Sequence, residues 1–155
     1  MSDQPGSGRD ETEYERLDRN LEELLGELRV ALPGVQVLFA FLLVVPFNTR
    51  FAGLSPGQER LYLLSLLFAG AASALLIAPT AAHRITFRHQ EKSFVVASAN
   101  RLMIVGLACL AVSMTAAIGL VVDVVFSTVV AVASAALIGS MFAVLWYVVP
   151  MRQRK

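Results

Sequence analysis

Positive charge in this chain is confined to alternate gaps between apolar stretches. Four apolar stretches alternate with polar ones, and 11 of the 13 Lys and Arg residues fall in every second gap. The N-terminal segment holds Arg9, Arg16, Arg19 and Arg29. The second internal gap holds Arg84, Arg88, Lys92 and Arg101, and the tail holds Arg152, Arg154 and Lys155. The first gap has only Arg50 and Arg60, and the third has none. Lys and Arg are retained on the cytoplasmic face of a bilayer, so the pattern predicts four membrane spans with both termini inside. The fold class expected is all-α: a polytopic membrane protein whose four transmembrane helices form two hairpins, preceded by a cytoplasmic amphipathic helix.

Composition agrees. Charged residues are 16% of the chain, against about 25% in soluble domains. Nine of the twelve acids lie in residues 1–30, and between Leu102 and Val149 the only charge is Asp123. A soluble core has no use for so long an uncharged tract, but a pair of spans does. The net charge of +1 gives no electrostatic footprint for nucleic acid. Cys109 is the single cysteine and reads as a small packing residue. No basic n-region runs into an apolar h-region at the start, so the first span is expected to serve as an uncleaved anchor.

Residues 1–11 are read as disordered, being rich in Gly, Ser and Asp at the start. Residues 12–32 form an acidic amphipathic helix. Thr12 and Glu15 have capping-box spacing. Tyr14, Leu21 and Leu28 recur every seven residues, as do Leu17, Leu24 and Ala31. Pro33 is expected to end this helix, because it lacks an N–H and clashes with the preceding turn. Spans are expected at about 33–47, 61–82, 102–122 and 126–149, within a membrane domain of 33–150, followed by a basic tail at 151–155. The first span is short for a hydrocarbon core about 30 Å thick and is expected to draw on Phe51 and Leu54 or to thin the bilayer locally. Ser55, Pro56 and Gln58 make a second capping box with proline at the first helical position. Asp123 falls where the last two spans should turn.

The candidate functional residues are few. Gln36 is the one strongly polar residue inside the first span, and intramembrane ionisable groups such as Asp123 are functional candidates by default. The bland reading is a hydrogen bond to a neighbouring helix or headgroup for Gln36, and solvation or capping of the last span for Asp123. If the 83–100 gap is helical, Arg84, Arg88 and Lys92 share one face suited to anionic lipid headgroups. His83 and His89 are six apart and do not share a helical face. Small residues recur at four-residue spacing: Ser65, Ala69 and Ser73, then Cys109, Ser113 and Ala117, with Thr115 and Gly119. They suit helix packing, within the chain or between copies. No nucleophile–base constellation, phosphate loop or metal motif is present, so no enzymatic activity, cofactor or metal is expected.

Residues 1–30 carry four positive and nine negative charges, net −5. Surface-lying membrane helices carry Lys and Arg on the polar face, so this helix is expected to bury its leucines in protein. Tyr14, Leu17, Leu21, Leu24 and Leu28 are the expected contact, against a second copy, another membrane or cytosolic protein, or its own bundle. Basic residues 84–92 and 152–155 offer complementary charge.

The strings Glu27-Leu-Arg-Val-Ala-Leu-Pro-Gly-Val-Gln-Val-Leu-Phe-Ala-Phe-Leu-Leu43, Arg60-Leu-Tyr-Leu, Ala78-Pro-Thr-Ala-Ala-His-Arg84 and Asn100-Arg-Leu resemble a family of small actinobacterial integral membrane proteins, a domain of unknown function. The resemblance covers about residues 21–125 and implies four membrane helices in a bacterial inner membrane. It transfers no functional residue. The expected role is a non-enzymatic accessory or scaffold subunit acting through its N-terminal helix. The alternative is a small oligomeric channel or transporter with Gln36 and Asp123 along its pathway.

Overall fold

A computed structural model of the chain describes residues 13–86 and 92–153. Among these there are helices and turns and no strands. Helix α1 spans Glu13–Val44, α2 Pro56–Thr86, α3 Lys92–Val125, α4 Thr128–Ala143 and the short α5 Val149–Gln153. Two 3-10 turns, Val45–Phe47 and Phe51–Gly53, join α1 to α2, and a π-helical segment, Val144–Val148, joins α4 to α5. Four stretches are long and apolar enough to cross a bilayer: Leu28–Phe47, Pro56–Ala82, Ala99–Val125 and Thr128–Arg152.

Pro33 does not end the first helix. It lies inside α1, and the expected amphipathic helix and first span are one element. The reason is visible on either side of the proline. Leu28 before it and Val35 after it are both buried in the same core cluster, and Leu42 is buried one heptad further on. A break at Pro33 would withdraw one end from that contact. The continuity also corrects the expected length deficit. The span gains residues at its N-terminal side, and the 20 residues Leu28–Phe47 reach about 30 Å.

Proline governs two further joints. Pro46 has no N–H for the carbonyl of Leu42, and the Tyr62 hydroxyl donates to that carbonyl at 3.0 Å. Tyr62 is buried between α1 and α2, with its ring edge-on to Phe51 at 5.0 Å. Pro150 likewise cannot bond to the carbonyl of Trp146, and its ring crowds that turn. The helix widens just before it, with the Val149 N–H reaching back to the carbonyl of Val144. Single π turns relieve this kind of local misfit.

Helices α2 and α3 form the centre. Ser65 meets Ser113, and a Cβ on Gly106 would come within 2.9 Å of Leu76, so the two helices run antiparallel. Gly106 permits that approach, because any side chain there would strike Leu76. Helix α1 packs on α2 and, less extensively, on α3. Helix α4 approaches α3, and among the described residues it has no close backbone approach to α1 or α2. The four helices thus form an open arrangement, with a trough over α3 between α2 and α4.

Candidate functional site

The polar groups of the membrane region gather at two levels. The first is a buried pair at the centre of the α2–α3 seam. The Ser65 hydroxyl donates to the carbonyl of Ser113 at 2.9 Å, and the Ser113 hydroxyl donates to the carbonyl of Ser65 at 2.8 Å. Both residues are fully buried. Small side chains let the backbones come close enough for this exchange, and each hydroxyl has a partner where no water reaches. The four-residue spacing seen in the sequence is thereby used inside the chain. Ala69 is also fully buried, and Thr115 and Gly119 face Gly139 and Ala135 of α4.

The second level is a clasp at the end of the bundle where α2 and α4 begin and α3 ends. The Ser55 N–H donates to Gln58 Oε1 at 2.9 Å, and the Gln58 N–H donates to Ser55 Oγ at 3.4 Å. This is the reciprocal capping box expected from the spacing. Because the box uses only the oxygen of the Gln58 amide, its nitrogen is left to donate elsewhere. It donates to Asp123 Oδ2 at 2.9 Å, 65 residues away. Thr128 stands beside the Asp123 side chain. Asp123 lies in the last turn of α3, and the turn to α4 is Phe126–Ser127, a few residues after Asp123. One carboxylate therefore ties the start of α2 to the end of α3, next to the start of α4. Among the described residues, no cation acts on it.

The other sequence-derived candidates are scattered. Gln36 is exposed on α1. Phe39, one turn further on, packs at Gly70, twelve residues along α2 from Gln58, or about 18 Å. Gln36 and Asp123 thus sit at different depths. Arg84 lies in the last turns of α2 and Lys92 opens α3. The chain reverses between those helices, so the two do not lie along one helical face as the gap spacing suggested. Arg88 lies outside the described residues. Tyr14, Leu17, Leu21 and Leu24 keep their register positions on α1, with side chains outside the described set. Residues 1–12, with Thr12 of the first expected capping box, and residues 154–155 are likewise outside it. Leu28 is buried in the chain's own core with Val35, Ala72, Leu76, Met103 and Leu110, which removes it from an intermolecular contact.

Gln58 was legible in the sequence only as a capping residue. Its link to Asp123 leaves no local signal, because the partners are on different hairpins.

A model of the DUF6328 family, described as a family of unknown function, matches residues 10–150. The chain belongs to this family. The DUF6328 match runs from the N-terminal extension of α1 through the four spans, so the helix that crosses Pro33 belongs to the same unit as the bundle. No curated protein and no solved structure matches the chain.

Proposed function

We propose that this DUF6328 protein is a non-enzymatic accessory or scaffold subunit of the bacterial plasma membrane, with both termini cytoplasmic, that engages a partner through the N-terminal half of α1. The observation supporting this is the continuity of α1 from Glu13 to Val44. Positions 14 and 21 continue in register into Leu28, Val35 and Leu42, which are buried in the bundle. From Glu13 to Leu28 the helix extends about 22 Å. A contact made on Leu17, Leu21 and Leu24 is therefore joined to the membrane core by one helix, not by a hinge. The acidic extension suits a basic surface, with residues 84–92 of its own or a neighbouring protomer as the nearest in kind. The orientation is supported by charge: only Arg50 and Arg60 fall in the first gap between apolar stretches and none in the third, while the other 11 of the 13 Lys and Arg residues fall in the N-terminal segment, the second gap and the tail, the bias that retains Lys and Arg inside.

The test is the mass of the full chain in nanodiscs beside a Leu21→Asp/Leu24→Asp variant. The expected result is a defined assembly, with itself or a co-purified partner, that is lost in the variant and kept in Gln36→Leu. An assembly that survives the aspartates defeats this reading. Charge reversal of Arg84, Arg88 and Lys92 should likewise expose residues 12–27 to limited proteolysis if the extension docks there.

A further inference from the structure

The trough between α2 and α4 is a cavity of about 720 Å³. On α3 its lining runs from Ala108 to Asp123, about 22 Å along the helix. Its walls are mostly small and apolar, including Ala111, Thr115 and Gly119 on α3 and Val132 and Gly139 on α4. The trough exists because α4 packs on α3 without reaching α2. Asp123 lies at one end beside Ser55 and Thr128, and among the described residues no Lys or Arg lines it. Its carboxylate is held by Gln58, with its negative charge uncompensated among the described residues.

We propose that this trough binds lipophilic monovalent cations, the head against Asp123 and the hydrocarbon body along the small-residue floor. Three observations select this occupant. The single uncompensated carboxylate calls for one positive charge. The lack of lining Lys or Arg leaves a phospholipid's phosphate without a counter-charge. The volume matches small-ligand pockets of about 300–1,000 Å³, whereas a 16-residue helix about 10 Å wide and 24 Å long fills roughly 1,900 Å³. Binding here is independent of the α1 interaction.

The test is saturable binding of tritiated tetraphenylphosphonium to the full-length protein in dodecyl maltoside. Asp123→Asn should weaken it by about tenfold or more, since it removes the one charge that pairs with the head. Val132→Trp, at an exposed position on the trough wall, should do the same by filling the space. Glu59→Gln, an exposed carboxylate next to the clasp and outside the trough, should leave binding unchanged. Dodecyltrimethylammonium should compete and dodecanol should not. Should Asp123→Asn fail to fold, Val132→Trp and the competition decide the matter. The proposal is overturned by non-saturable binding to the native chain, by equal loss in Glu59→Gln, or by unaltered binding in Val132→Trp. It is also overturned if Val132→Cys protomers cross-link to one another, because the trough would then hold a second copy.

Discussion

The two central spans and the two flanking ones have nearly the same hydropathy and very different burial. Within their apolar windows, Pro56–Ala82 and Ala99–Val125 bury 28% and 33%, while Leu28–Phe47 and Thr128–Arg152 each bury 11%, with mean hydropathy 2.2 or 2.3 for all four. Apolarity sends a helix into the bilayer without choosing its neighbours there, since lipid is as apolar as leucine. The centre is chosen by close backbone approach and by polar groups that find partners. Ser65, Ser113, Gly106 and the buried Ala69 and Ala72 supply both on α2 and α3. Helix α4 has small residues as well, including Ala131, Ala135 and Gly139, yet it packs on α3 alone. What remains uncovered is the trough.

The widest separation between centre and flank should come from truncating large side chains. Leu76 is fully buried, while Leu137 on α4 is 69% exposed. Leu76→Ala should destabilise the protein by about 2–5 kcal/mol, and Leu137→Ala by no more than about 0.5 kcal/mol. Thermal unfolding in one detergent compares them directly. Equal losses would mean that α4 is as tightly held as α2.

A glycine pair sharpens the contrast with smaller effects. A Cβ at Gly106 meets Leu76 at 2.9 Å, whereas one at Gly139 meets Thr115 at 3.5 Å, an ordinary contact. Gly106→Ala should cost about 1–3 kcal/mol through overpacking. Gly139→Ala should be neutral or slightly stabilising, because alanine favours a helix over glycine. A loss at Gly139 matching that at Gly106 would contradict the loose α3–α4 seam.

The smallest effects concern single hydrogen bonds. Tyr62→Phe leaves the carbonyl of Leu42 unpaired above Pro46 and should cost about 1 kcal/mol. Ser65→Ala should cost about 0.6 kcal/mol, typical of interhelical bonds in membranes. The double variant Ser65→Ala/Ser113→Ala should lose less than the sum of the single losses, because the two bonds are reciprocal. Strict additivity, measured by the same unfolding, would show that the serines act separately.

The spans, their number and the Ser55–Gln58 capping box could be read from the chain because each rests on local pattern: charge distribution, apolar length and a three-residue spacing. Pro33 misled for an equally physical reason. Its local cost is real, but the seven-residue register on both sides is held by one core, and tertiary contact decided the outcome. Arg84 and Lys92 fall on two different helices, a split that spacing alone hides, because periodicity does not mark where a hairpin turns. The Gln58–Asp123 clasp joins the first hairpin to the second, a pairing that no single segment encodes.

The central claim is that α1 is one helix through Pro33, coupling its acidic extension to the bundle. Electron spin–spin distances between labels at Gly26 and Ala40, both exposed, test it directly. Fourteen residues of uninterrupted helix place the two Cα atoms about 21 Å apart. The account predicts a single narrow distribution centred on that spacing once the label arms are allowed for. A broad or markedly shorter distribution would place a hinge at Pro33 and contradict it.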